Sequence, residues 1–220
     1  EIKNPDVPTP DLLLAAAGET WFTTGKVAIT HDTRDNAFLP TEGHFFQASY
    51  EQGFGDFMYP QVRGDAKQYF TLHERPDGEG RQVLSLSSRL GWTGDDTPIY
   101  ERFFAGGYQS FRGFDFRGVT PRQAGFPGTG IGGAWMALGS VQYQFPVTAD
   151  EMISAVVFTD FGTIEDDVAM EDFRLTVGAG LRVTIPAMGP VPIAVDWGIP
   201  VIKQDFDDER VFSFYIGINR

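Results

Sequence analysis

The chain has no cysteine, no apolar run near the length of a membrane-crossing helix, and only 17 Lys and Arg against 30 Asp and Glu. Each shortage excludes something. Without about 18 consecutive apolar residues no transmembrane helix is available. A net charge of −13 argues against a nucleic-acid partner, because phosphates require a basic surface. The missing thiols suit a chain that crosses an oxidising periplasm, where stray cysteines risk wrong disulfides. His31, His44 and His73 are the three histidines, and their spacing fits no metal site. The chain begins at Glu1 with neither initiator Met nor leader, and reads as a mature product or a fragment.

What is present points to strands. Phe is abundant, at 20, and Gly reaches 26. The slightly negative mean hydropathy does not exclude a membrane protein, since a barrel spans lipid with only every second residue apolar. That alternation is clearest at Phe173, Leu175, Val177, Ala179, Leu181, Val183 and Ile185, interleaved with Arg174, Thr176, Gly178, Gly180, Arg182 and Thr184. Eight further segments read similarly: 20–31, 44–53, 61–73, 81–93, 134–146, 152–162, 191–202 and 211–219. Several exceed the usual globular strand and reach the roughly 9–11 residues of a tilted membrane strand. Trp21, Trp92, Trp135 and Tyr143 fall at strand ends, as interfacial girdles require.

Hairpin connections would make all neighbours antiparallel. Connections 32–43, 74–80, 147–151 and 186–190 then share the periplasmic side, while 1–19, 54–60, 94–133, 163–172 and 203–210 share the other. Short turns on one side and longer loops on the other fit an outer-membrane barrel. The acidic clusters Glu165-Asp166-Asp167 and Asp205, Asp207, Asp208, Glu209 read as solvated loops; the ligand spacing of a calcium loop is absent. Thr9, Pro10 and Asp11 before Leu12–Ala17 and Gly18 predict a short helix, with an N-cap and Pro at N1. An odd number of antiparallel strands cannot close on itself, and open edges are not tolerated in lipid, so an incomplete barrel is expected.

The stretch Glu101 to Phe114, with Gly106-Gly107 and the core Phe111-Arg112-Gly113-Phe114, resembles the sixth extracellular loop of BamA-type outer-membrane assembly factors. The first core position is Phe111, where the family has Val or Ile. A second match is Asp32, Arg34, Asp35 and Asn36 followed by Pro40-Thr41-Glu42-Gly43, similar to the family's periplasmic hairpin. Phe158–Gly162 and the Gly-Leu-Arg run at 180–182 also resemble it. The resemblance implies the last nine strands of a 16-stranded barrel, preceded by POTRA domains that are absent here.

A long loop such as 94–133 is uncommon without a reason. Folded into the lumen, it would bring Arg112 among inward groups, where a guanidinium needs a carboxylate for bidentate pairing. Asp160 shares a face with Ser154, Val156 and Phe158, and is the inward candidate. Without the resemblance, an exposed loop arginine is the simpler reading. The family implies the same pairing plus an acid on the preceding strand, which here is Gln142. Phe212, Phe214 and Gly217 carry the alternating pattern of a C-terminal insertion signal, although the chain ends on Arg220 rather than an aromatic residue.

Other motifs carry little. Gly128-x-Gly130-x-x-Gly133 leads into a strand, so it lacks the geometry of a dinucleotide site. Arg63-Gly64-Asp65 lies within a strand, and no Gly-x-Ser-x-Gly elbow occurs. The expectation is therefore a non-enzymatic antiparallel β-barrel of the outer membrane, without cofactor or metal. Its partners would be membrane lipid, client barrel proteins, accessory lipoproteins and its own POTRA domains. Alternatives are a two-partner-secretion-type pore of the same superfamily, a diffusion porin, and a soluble β-sandwich.

Overall fold

A computed structural model describes residues 10–126, 128–184 and 192–216. Its elements are α1 (Asp11–Ala15), β1 (Phe22–Asp32), β2 (Gly43–Gly55), β3 (Pro60–His73), β4 (Gln82–Thr93), β5 (Gly113–Phe114), β6 (Trp135–Pro146), β7 (Ile153–Glu165), β8 (Arg174–Val183), β9 (Ile193–Ile202), β10 (Glu209–Arg210) and β11 (Phe212–Ile216). Nine of the strands form one antiparallel sheet in the order β1-β2-β3-β4-β6-β7-β8-β9-β11, and β5 pairs with β10 separately. Every sheet neighbour is thus a sequence neighbour once the two short strands are set aside. The turn expected at 186–190, with Ile185 and Val191, and the terminal Gly217 lie outside the described residues.

The side-chain polarity is inverted relative to a soluble sandwich. On β8, Arg174, Thr176 and Arg182 are buried, while Val177 and Leu181 are 43% and 39% exposed. On β7, Ser154, Phe158 and Asp160 are buried and Val157 is exposed. The register puts Tyr143, Val157, Ala179 and Trp197 in one outward row across β6–β9. Val27, Ile29, Phe46, Tyr50, Val62, Leu86 and Leu90 extend the apolar wall over β1–β4. Polar residues inside and an exposed apolar face outside form a low-energy arrangement only where lipid bathes the outside. That excludes the soluble sandwich.

The inner face holds the segment between β4 and β6. Phe103, Ala105, Phe111, Phe114 and Val119 from this segment pack with Met136, Leu138 and Ile164 of β6 and β7. Short bridges, Phe103 with Gly133 and Ala105 with Val119, brace it internally. It is a folded plug that shares its core with β6 and β7. The short helix sits beside it: Ala16 clusters with Ile99 and Ile131, and Asp11 exchanges hydrogen bonds with Gln123. Pro10 occupies the N-cap position of α1 rather than N1, and its carbonyl accepts from Leu13 and Leu14. With no N–H to place, proline suits either position, so its presence did not fix the helix start.

An outward position near mid-strand should therefore reject charge. Val157→Arg should cost about 2–4 kcal/mol, whereas Met152→Arg, in the turn before β7, should cost about 0–1 kcal/mol. Urea unfolding in lipid vesicles measures both; equal costs would contradict the membrane placement.

Candidate functional site

The site is the contact between the lumenal loop and the inner faces of β6–β9. Gly113 has φ +93°, and a Cβ there would lie 2.8 Å from Thr176 Cγ2. Gly198 on β9 is equally constrained, since its own Cβ would meet the Gly113 nitrogen at 2.9 Å. Two glycines thus let loop and strand backbones touch. This contact delivers the preceding residue, Arg112, to the strand wall.

Arg112 is 1% exposed. Its Nε and backbone N–H donate to Asp160 Oδ2 at 2.9 and 3.0 Å, and its Nη2 donates to Asp160 Oδ1 at 2.9 Å. The Ser140 hydroxyl also donates to Asp160, at 2.5 Å. Nη1 donates to Gln142 Oε1 at 2.9 Å and to Asp196 at 3.4 Å. The guanidinium carbon stands 3.4 Å from the centre of the Phe158 ring, a cation–π contact on the planar face that hydrogen bonds leave free. Phe111 and Phe114, the flanking motif residues, are both fully buried and pack edge to face at 5.1 Å.

The sequence reading missed half of this network. Asp196 on β9 is fully buried and takes a bidentate pair from Arg182 on β8, at 2.7 and 3.0 Å. Arg182 also reaches Gln142 Oε1 at 3.3 Å, so one amide oxygen bridges both guanidinium groups. Two arginines and two aspartates balance, and the neutral Gln142 adds no third negative charge. A lone inward charge among Ala194, Asp196 and Gly198 was the signal for Asp196. Gly180 supports it, because any Cβ there would collide with the Asp196 carboxylate.

The plug is also tied to the last hairpin. Tyr108 stacks on Tyr215 of β11 at 4.4 Å. β5 pairs with β10, and Asp115 N–H donates to the Asp208 carbonyl at 2.8 Å. Arg174 clamps Asp207 from Nε and Nη2, both at 2.9 Å, with both side chains 0% exposed. The acidic run at 205–209 is therefore not simply a solvated loop: Asp207 is buried because Arg174 faces inward from the adjoining strand.

The turn between β1 and β2 uses its charges internally. Arg34 holds Asp32 at 2.7 and 2.9 Å and lies over the Phe45 ring. Asp35 accepts from Thr41 Oγ1 at 2.7 Å and from the N–H groups of Thr41 and Glu42. Burial by itself raises the Asp35 carboxyl, but these hydrogen bonds outweigh it and hold it below its usual range. Pro40 is buried, and Gly43 turns the chain at φ +90°, where a Cβ would strike the Thr33 carbonyl. Phe212 and Phe214 face outward from β11 at 48% and 57% exposure.

The model of the Omp85 superfamily domain matches residues 4–219. The chain belongs to the Omp85 superfamily. It is 29% identical over 210 residues to the outer membrane protein assembly factor BamA of Nitratidesulfovibrio vulgaris, a match covering 91% of this chain and 26% of that relative. The chain thus spans about a quarter of that relative's length. The crystal structure of BamA from Haemophilus ducreyi lacking POTRA domains 1-3 superposes with a TM-score of 0.73 at 21% identity, covering 88% of this chain and 41% of that one. The shared fold and family make this a partial outer-membrane β-barrel, as the inverted polarity of its sheet requires.

Removing one partner from a buried ion pair should cost this Omp85 chain about 3–5 kcal/mol. Arg112→Ala should therefore lower the temperature at which the barrel loses its compact electrophoretic migration, and Arg112→Lys should recover only part, because an ammonium cannot bind bidentately. Gly113→Ala should resemble Arg112→Ala although it removes no charge. For Asp35, a lowered pKa stabilises the turn above the usual carboxylate value of about 4 and loses that stability as pH falls below it. Asp35→Asn should speed amide exchange at Thr41 and Glu42 near neutral pH, with the difference closing at acid pH.

Proposed function

We propose that this chain is the C-terminal barrel part of an outer-membrane protein assembly factor, which folds and inserts client β-barrel proteins. The observation that carries the reading is the buried contact of Arg112 with Asp160, made by a loop that also grips the last hairpin. A loop so held fixes where the last strand stands. The sheet order ends on β1 and β11, each paired on one side among the described residues. Among the described residues β11 pairs with β9 over Phe212–Ile216, and in a complete barrel its other edge would stand beside an earlier strand as a seam that can open. Such an edge offers backbone donors and acceptors to an incoming strand. Phe212 and Phe214, with Gly217, would serve as the recognition signal for the chain's own insertion.

The role is structural rather than enzymatic. POTRA domains and accessory lipoproteins belong to this reading as partners. A secretion pore of the same superfamily would share the loop and differ in its cargo.

The test is complementation in cells depleted of the full-length protein. Arg112→Ala should lower the yield of heat-modifiable client barrels in the outer membrane, with the variant itself present at normal level. Normal client assembly with a destabilised Arg112→Ala barrel would remove the functional role of the lock. Normal clients with loss of one exported partner would favour the secretion pore.

A further inference from the structure

The turn between β1 and β2 does not simply prolong its hairpin. In the sheet order β8 stands five strands from β2, which at the usual strand spacing is about 24 Å along the wall. Yet Leu39, Pro40 and Thr41 of that turn share one narrow cavity of about 80 Å³ with Gln144, Ser154 and Arg182, which lie where β6 ends, β7 begins and β8 ends. The turn therefore folds inward and lies across this end of the inner face. Pro40, Ser154 and Arg182 are all buried there.

Side-chain contacts between three turns hold it in place. Thr71 Oγ1 donates to the Thr41 carbonyl at 3.0 Å, and Arg81 Nη1 reaches the Thr41 hydroxyl at 3.5 Å. The same hydroxyl donates to Asp35, so the internal brace of the turn and its outward contact meet at one atom. Arg81 is fixed in turn by Glu151, just before β7. Glu151 Oε1 accepts the N–H groups of Gly80 and Arg81, and its Oε2 stands 3.6 Å from Arg81 Nη2. Arg75 Nη2 joins the same two turns by donating to the Ala149 carbonyl at 3.0 Å. Glu151 adopts φ +56°, and Arg117 is the other described non-glycine residue with a positive value. A left-handed glutamate persists only where its surroundings over-determine it, and the three donors around this carboxylate do so.

We propose that the β1–β2 turn is a strap over the periplasmic end of the lumen, latched through Arg81 by Glu151, and that releasing the latch opens that end at Arg182. The opening has a consequence for the loop. Arg182 holds Asp196, which Arg112 also contacts. Water admitted beside Arg182 screens that pair and loosens the hold of β9 on Arg112. The strap thus gives an event among the short turns a route to the loop. It rests on contacts within this chain and holds whether the barrel assembles clients or exports a partner.

This chain has no cysteine, so introduced thiols are unique in it. The full-length protein, with any cysteine elsewhere replaced by serine, would be placed in nanodiscs, where both faces are accessible. In L39C/S154C a short bis-maleimide should join the two positions, and absence of the cross-link would overturn the placement of the strap. S154C alone should react slowly with a membrane-impermeant maleimide. E151A should speed that reaction about tenfold, as loss of charge-assisted hydrogen bonds requires. T41V, which removes the hydroxyl that meets Arg81, should speed it less. M136C, buried at the opposite end of β6, should stay slow in every background. Equal acceleration at both positions would mean general loosening and overturn the latch. Fast labelling of S154C beside an intact Glu151, or no acceleration in E151A, would overturn it as well. The cross-link needs no latch variant, so a folding defect in E151A leaves the strap decidable.

Discussion

A guanidinium at 1% exposure is the constraint on which the inner face depends. A buried arginine cannot be neutralised, so every donor and the charge itself must be met by the wall. Asp160 and Ser140 meet one edge, Gln142 and Asp196 meet another, and Phe158 covers the plane. Satisfying one loop residue therefore sets side chains on three strands, and Asp196 in turn sets Arg182 on a fourth. The glycines follow from the same constraint. A Cβ on Gly178 would invade the Phe158 ring, and one on Gly180 would invade Asp196.

Such a pair contributes position more than net stability, because desolvating the ions offsets much of their attraction. The apolar cluster of Phe111, Phe114, Met136, Leu138 and Ile164 supplies the burial that holds the plug. The ion pairs decide where it is held. Arg174 and Asp207 do the same for the last hairpin, and the stacked Tyr108 and Tyr215 join the two. Loop and last hairpin are thus coupled directly by the tyrosine stack and by the pairing of β5 with β10.

The outer face follows a simpler rule. Its residues need only be apolar, and their identity varies freely among Val, Ile, Leu, Phe and Trp. Departures from that rule, such as His31 and His44 near the β1–β2 turn, pair with each other because lipid offers them no hydrogen bonds.

Period-2 alternation by itself determined the strands and which face of each is apolar, because a two-residue repeat leaves no freedom of face once one side is lipid. Its strand limits differ from the observed ones by a few residues, as at 44–53 against Gly43–Gly55. The inward position of Asp160 was legible from the alternation of its strand, and the motif around Arg112 from its resemblance to the family's loop. Only the tertiary structure decided the rest. Asp196 and Arg182 were visible as inward charges, but their partnership with Arg112 depends on register across β6–β9. Asp207 sat in an acidic run that reads as solvated, and only the approach of Arg174 buries it. The start of α1 shifted by one position because proline suits two places equally. Alternation along one strand is a local property of the chain, whereas a buried ion needs partners from distant strands, and a linear pattern does not record which of them meet.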